Sequence, residues 1–464
     1  MSLPDELLQA VSALGGGKIT LVVGAGCSSE APTSIPLART CSQQCHDRLV
    51  ADGVLENGDC PAPSNLSCLA DTVFAKRGGQ QRLLVEQLSQ HYALKAASPN
   101  EGHLLTAALL REGAIASVVT LNFDLALSTA IGQLGVGDAV GIIDGPDELL
   151  NQKTINLYYL HRNANAADPE TWILRTEALK TEWKGKWEAV VAARVLATPV
   201  VVFAGLGNPA DVLIESSKLI RNAIPNRSKA YLIDSGDPNK SEFFKALDLD
   251  PAFFVPMTWC DFMEALSQRL VVEHMSQLKT AADTMVQRDK LDQEDLTALL
   301  SRLQDIGLLD VGRLRASWLL HDKHYFAEEL LARELIADLL LAAALIARVT
   351  GTAAFLFGNG IVEFRRGDRT VATHVFVSGR GSRSRIAIES ELSSRKRHFR
   401  GLASPPACAI VAGIRGNTTT TITTPLDVLL GETATSILFG QSTMPIFHVE
   451  SLRQNTAQCQ QVAP

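Results

Sequence analysis

The sequence predicts an α/β protein. A Rossmann-like, doubly wound parallel sheet with a helical insert occupies residues 1–271, followed by a helical segment at 272–350 and a small α+β domain at 351–464. Three observations predict this. Apolar, largely β-branched runs at 19–23, 114–120, 154–160, 199–204 and 229–233 each stop within seven residues, which suits buried parallel strands rather than helices. Each run ends in small or polar residues and a helical pattern follows, the strand–turn–helix repeat of a parallel sheet. A chain of 464 residues also has room for two or three domains, each with its own core.

Composition narrows the function. A net charge of −7 argues against attraction of the whole protein to nucleic acid or membrane. The eight cysteines lack CxxC spacing, which argues against a zinc site or a disulfide scaffold and suits a reducing cytoplasm. Cys41 and Cys45 read as helix packing. Residues 1–17 carry acids and no basic leader, so they read as a short amphipathic helix ended by glycines and not as a signal peptide. The stretch 336–349 contains Asp338 and Arg348 and is shorter than the roughly 20 apolar residues of a membrane span. It reads as a buried or interface helix.

The first strand, 19–23, runs into Gly24-Ala25-Gly26-Cys27-Ser28. Glycines permit a sharp turn and close approach of the backbone to a bound group, and the carboxyl end of such a strand commonly receives phosphates. The stretch lacks the third glycine of the dinucleotide fingerprint and any Lys-Ser/Thr pair, so an ordinary tight turn stands beside the nucleotide reading. A helical insert at about 37–112 follows, a small lobe or lid at the sheet edge. Its first helix has Pro36 in its first turn, 51–66 is a loop, and helical patterns fill 67–110. Within it Ser98 or Asn100 caps a helix, and His103 reads as a capping or core histidine.

The second strand, 114–120, ends in Thr120-Leu121-Asn122-Phe123-Asp124. This places polar groups at the edge that α/β proteins use for ligands, although Asp124 also suits capping of the next helix. The strand at 154–160 ends in His161-Arg162-Asn163. A histidine fixed at a strand end, with an ordinary pKa near neutrality, is a candidate for acid–base chemistry. Residues 171–174 read as a strand and 178–196 as a helix, with Trp183 and Trp187 on one packing face. The strands at 199–204 and 229–233 lead to Gly205-Leu206-Gly207 and Asp234-Ser235-Gly236. A strand at 253–258 and a helix at 260–271 close the unit.

Beyond it, Asp310-Val311-Gly312 and Gly351 punctuate the helices. Strands are expected at 353–358, 360–364, 374–379, 384–389 and 407–414, with a β-prone polar run at 418–424 and a loop at 378–382. Residues 365–400 hold ten Lys/Arg against Asp368, Glu389 and Glu391. That surplus suggests a patch for nucleic acid, a nucleotide or an acidic protein surface, with a solvated face as the plain reading. Thin aromatic content (Phe364, Phe376, Phe399) argues against stacking on single strands.

Taken together, four strand and helix ends resemble the sirtuin (SIR2) superfamily over about residues 1–270. Gly24-Ala25-Gly26-Cys27-Ser28 matches its GAGxS loop, Pro99-Asn100 with His103 its PNxxH helix start, and Thr120 to Asp124 its TxNxD motif. His161 falls where the catalytic histidine is expected, and Gly205-Leu206-Gly207 where the later NAD loop lies. The resemblance implies that Gly24, Ala25, Gly26 and Ser28 surround the phosphates and ribose of NAD. Asn122 would hold a water or polar group by the nicotinamide ribose, Asp124 would bind the carboxamide, and His161 would act as general base. Thr120, Gly205, Gly207 and Asp234 would complete the NAD-binding set.

The departures are informative. No cysteine occurs between Cys68 and Cys260, where the zinc ligands of protein-deacylating sirtuins would follow the histidine. His161-Arg162 stands for their HG, a cation able to narrow or charge the acyl-lysine channel. Ser34 stands where a glycine is expected, and Gly207 where a serine is frequent. Such a zinc-less domain with a C-terminal extension looks most like bacterial defence-associated SIR2 proteins. That resemblance implies a cytoplasmic, oligomeric NAD+ hydrolase acting in abortive infection, with a partner ATPase or nuclease at the C-terminal region. An acyl-lysine deacylase, an ADP-ribosyltransferase and a catalytically inactive NAD-binding scaffold are the alternatives.

Overall fold

The computed structural model describes residues 3–12, 17–134, 136–137, 139–179, 187–207, 214, 217–218, 222, 229–289, 293–294, 297, 307–309, 330–356, 361–380, 408–415, 445–449, 452 and 455–462. The chain divides into two compact units, Met1–Arg269 and Leu270–Pro464.

In the first unit, α1 (Asp5–Ser12) precedes β1 (Ile19–Val23), which passes into the short α2 (Ala25–Ser29). The insert follows as α3 (Ala38–Ala51), α4 (Leu66–Lys76), α5 (Arg82–His91) and α6 (Glu101–Arg111). Then come β2 (Ile115–Thr120), α7 (Ala126–Gln133), β3 (Val140–Ile143), β4 (Ile155–Tyr159), α8 (Trp187–Val195) and β5 (Val200–Ala204). The unit continues with β6 (Lys229–Ile233), α9 (Glu242–Leu247), β7 (Phe254–Val255) and the first residues, to Arg269, of α10 (Trp259–Asp289). The strands form one sheet in the order β3-β4-β2-β1-β5-β6-β7, every pair parallel. All residues of β1, β4 and β5 are buried, as expected of strands covered on both faces. From β1 the chain builds outward through β2 to β4 and β3 on one side and through β5 to β7 on the other. A sheet of this kind opens its ligand crevice where the order reverses, at the carboxyl ends of β1 and β5.

The insert is fastened to the loop that follows β4. Gln81, 1% exposed, donates from Nε2 to the carbonyls of Pro169, Glu170 and Trp172 at 3.2, 3.1 and 2.7 Å. Asp71 on α4 accepts from the Thr176 N–H, and the Arg175 guanidinium lies 3.8 Å over the Phe74 ring.

These contacts correct one expectation. Residues 171–174 are not a strand: a 3-10 turn, Pro169–Thr171, is capped by the Asp168 side chain, and the Gln81 side chain takes the Trp172 carbonyl that a sheet partner would have bonded. A strand the pattern reading omitted, β3, occupies the sheet edge instead. The closing strand β7 has two residues, and its helix continues unbroken to Asp289 rather than stopping near 271.

The second unit contains α11 (Leu330–Thr350) and a sheet of β8 (Ala353–Leu356), β9 (Ile361–Arg366), β10 (Arg369–Arg380), β11 (Ala409–Arg415) and β12 (Ile446–His448), with α12 (Thr456–Val462) after it. The order is β12-β11-β10-β9-β8, antiparallel through β8, β9 and β10 and parallel through β10, β11 and β12. The apolar face of α11 supplies Leu340, Ala343 and Ile346 to a core shared with Val362, Phe364, Phe376 and Val411, so its hydrophobic run packs on a sheet. Among the described residues no helix is long and apolar enough to cross a membrane.

Ser378-Gly379-Arg380, expected in a loop, continues β10, because it pairs with Gly413, Ile414 and Arg415 of β11. Two of the patch arginines are engaged within the unit: Arg365 pairs with Glu363 at 2.6 Å, and Arg366 donates to Thr350 O at 3.0 Å. Arg383, Arg385, Arg395, Lys396, Arg397 and Arg400 lie outside the described residues. So do the expected strand at 384–389, the run at 418–424, Gly381, Ser382, Trp183 and Asp310 to Gly312.

Candidate active site

The glycine turns come first, because they decide how closely β1 and β5 can approach. Gly24 N donates to Ala204 O at 3.0 Å and Gly26 N to Gly205 O at 2.9 Å. A Cβ on Gly26 would lie 2.6 Å from Gly205 Cα, and one on Gly24 would lie 2.6 Å from Gly205 O. Gly205 has φ +64° and would set its own Cβ 2.5 Å from Cys27 N. The glycines of the first turn therefore admit a second turn, not a ligand, along their Cβ directions. Among the described residues nothing lies within 4 Å of the Gly207 Cβ position.

The turn is held from the insert. Asn100 caps α6, its Oδ1 accepting from His103 N at 3.1 Å while His103 Nδ1 accepts from Asn100 N at 3.3 Å. The Asn100 amide donates to Cys27 O at 2.8 Å and to Glu30 O at 3.4 Å. Glu30 in turn accepts from the N–H groups of Trp259 and Cys260 at the start of α10. Burial pushes His103 down to about 4, so it is neutral at pH 7. An unfolded chain binds this proton near pH 6.5 and the folded one only near 4, so stability falls as the pH drops through that window. Lowering the pH from 7 to 5 is expected to cost about 2 kcal/mol through this one group. Urea titrations of the wild type and His103→Asn at both values check it, the variant losing less on acidification.

At the carboxyl end of β2 a directed chain of hydrogen bonds forms. Asn122 Nδ2 donates to Gly24 O at 3.1 Å and to Ser28 Oγ at 3.0 Å, and Ser28 Oγ donates to Asp124 Oδ2 at 2.9 Å. Because Gly24 O can only accept, the amide orientation of Asn122 is fixed. Both its hydrogens are committed, and Oδ1 is the atom it can offer a ligand. Asp124 Oδ1 accepts from Ala126 N at 3.0 Å, so the carboxylate also caps the start of α7. Burial pushes the Asp124 carboxyl up, opposed by the Ala126 N–H and the Ser28 hydroxyl, which favour the ionised form. Thr120 Oγ1 accepts from Asn122 N at 3.0 Å and shapes the turn. Removal of the relay in Ser28→Ala is expected to cost about 1 kcal/mol of stability and to leave Asn122 without its lateral hold, which chemical denaturation checks.

His161 follows β4. Its Nδ1 lies 3.1 Å from Leu121 O, a carbonyl that can only accept, so Nδ1 carries the proton and the lone pair sits on Nε2. Burial pushes the ring down to about 4, against that carbonyl, which favours the charged form. The ring stacks on Phe123 at 5.9 Å between centroids, and Phe123 on Trp172 at 4.3 Å with planes 1° apart. Arg162 has φ +74°, which costs a non-glycine residue about 1–2 kcal/mol. The left-handed turn of a glycine is thus kept without the glycine, and Arg162 Nη1 donates to Asp144 O at 2.7 Å.

The fold thus brings together Gly24, Ala25, Gly26, Ser28, Thr120, Asn122, Asp124, His161 and Gly205. Asp234 ends β6 with its Oδ1 accepting from Gly236 N, and register puts it next to the Gly205 turn, since Ala204 pairs with Ile233. Pattern reading omitted Phe123, Trp172, Gln81 and Asp144. Only Asp144 had a local signal, a short apolar run between glycine-bearing turns at 140–143. Among the described residues no cluster of three His, Cys, Asp or Glu side chains is placed to hold a metal.

Fold and site together define a doubly wound α/β protein whose polar and glycine-rich strand ends converge at the switch point. No family model matches the sequence, and no curated protein matches it. Among solved structures, the chain is similar to a SIR2 homologue in complex with NAD, at 16% identity over 58% of this chain and 95% of that one, TM-score 0.35. It is also similar to a Sir2 complex with p53 peptide and NAD+, at 14% identity over 57% and 96%, TM-score 0.33.

Proposed function

We propose that the first unit is a SIR2-like NAD+ hydrolase that releases nicotinamide and ADP-ribose. The observation that carries this reading is the directed network from Asn122 through Ser28 to Asp124 beside a neutral His161. It unites residues from three of the matching motifs at one sheet edge. Those residues fit the ribose end of a dinucleotide: Asn122 Oδ1 and His161 Nε2 are acceptors suited to hydroxyl groups or a water.

The substrate supplies a nicotinamide leaving group, and water supplies the new oxygen on the ribose carbon. Asn122 Oδ1 orients a water or hydroxyl hydrogen. His161 Nε2 takes the proton, remaining neutral before the step because burial holds its pKa well below 7. Such a base is weak, and it suits a hydroxyl that grows more acidic as positive charge develops on the sugar. Phe123, itself backed by Trp172, stacks on one face of the imidazole. With no cysteine between Cys68 and Cys260 to build the zinc ribbon of deacylating relatives, NAD+ serves as substrate rather than co-substrate.

On this reading the protein acts in anti-phage defence, with oligomerisation or a partner at the C-terminal unit controlling it. Nicotinamide release by purified protein tests the activity. Turnover of free NAD+ that is unchanged by an acetyl-lysine peptide is expected. Release that requires the peptide would make it a deacylase, and no release from NAD+ under either condition would overturn the reading.

A further inference from the structure

Arg162 follows the candidate base directly, in a backbone conformation that an arginine keeps only when its surroundings impose it. Those surroundings are mainly the turn that follows β3, the edge strand. Arg162 Nη1 donates to Asp144 O at 2.7 Å. The Asn163 side chain hydrogen-bonds the Asp144 carboxyl, and Glu148 Oε2 accepts from Asp144 N at 3.0 Å. The two carboxyl groups also contact each other beside the guanidinium. The turn itself is short: Arg162 N bonds Tyr159 O at 3.4 Å across His161, so a shift of Arg162 moves the histidine with it.

We propose that Arg162 is a positioning residue for His161, clamping the left-handed turn after β4 to Asp144 at the end of β3. Leu121 O and the Phe123 stack hold the ring from the turn that follows β2, and the clamp adds a hold from the β3 side. The assignment rests on the hydrolase reading for its kinetic consequence, but the clamp exists in the protein without substrate.

The test therefore has a kinetic and a substrate-free arm, using the full chain as wild type, Arg162→Ala, Arg162→Gly and Arg162→Lys. Amide hydrogen exchange of a peptide covering residues 160–164 is expected to speed up about tenfold in the alanine and glycine variants, as a local opening freed of its clamp should. Lysine, which can still donate to Asp144 O, is expected to restore protection. For NAD+ turnover, kcat is expected to fall about 10- to 100-fold in Arg162→Ala while KM stays within about twofold, since a misplaced base costs rate and not binding. Unchanged exchange in Arg162→Ala, or a raised KM at constant kcat, would overturn the assignment, the latter by making Arg162 a substrate contact. A wild type that releases no nicotinamide would sink the hydrolase reading alone, and the exchange arm would still decide the clamp.

Discussion

His161→Ala is expected to lower NAD+ hydrolysis by about 10²- to 10⁴-fold, the range lost when a positioned base is removed, while the melting temperature changes little. The small structural effect is expected because the backbone of the turn after β4 is held independently of the ring, by Leu160 N to Thr120 O and Ala164 N to Phe123 O. The pH dependence carries the same signature. With the ring held near 4 by burial, the base stays unprotonated through neutral pH. The rate is therefore expected to be flat from pH 7 to about 5 and to fall roughly tenfold per unit below about 4. A rate that falls through pH 6.5 would mean a solvated histidine and would contradict the enclosed geometry. Initial rates of nicotinamide release across this range, in buffers where the fold persists, provide the measurement.

Gly26→Ala and Gly205→Ala are expected to have the largest effect on stability. The first places a methyl group 2.6 Å from Gly205 Cα, and the second places one 2.5 Å from Cys27 N at a φ of +64°. In both the obstacle is backbone, which no rotamer change relieves. Overpacking costs about 1–3 kcal/mol in both, and in Gly205→Ala a strained left-handed residue costs about as much again, so Gly26→Ala should melt roughly 5 °C lower and Gly205→Ala on the order of 10 °C lower. Thermal unfolding followed by circular dichroism reads this directly. Gly207→Ala, with nothing among the described residues within 4 Å of its Cβ position, is the control and should melt like the wild type. Equal melting of all three variants would mean that the β1 and β5 turns are not packed together.

The strands were legible because each is a short apolar run closed by small or polar residues, and that pattern follows from burial on both faces of a parallel sheet. For the same reason most of the candidate site could be read from the chain: Asn122, Asp124 and His161 stand at strand ends, where the sheet leaves ligands room. The edge strand β3 escaped because its run, 140–143, is too brief to separate from a loop by periodicity. The residues at 171–174 misled because the Trp172 carbonyl, with those of Pro169 and Glu170 just before it, is bonded by Gln81, about ninety positions away in sequence.

Sequence by itself determined which residues reach the carboxyl edge, since side-chain size and polarity fix where a strand stops. Tertiary structure alone decided what they do there. It seated a second loop against the Cβ sides of the first loop's glycines. It also set the direction of the Asn122–Ser28–Asp124 chain and the protonated nitrogen of His161, and it drew Arg162 onto β3. These outcomes depend on which donor meets which acceptor across the fold, and that pairing is a property of distances between segments, not of the segments themselves.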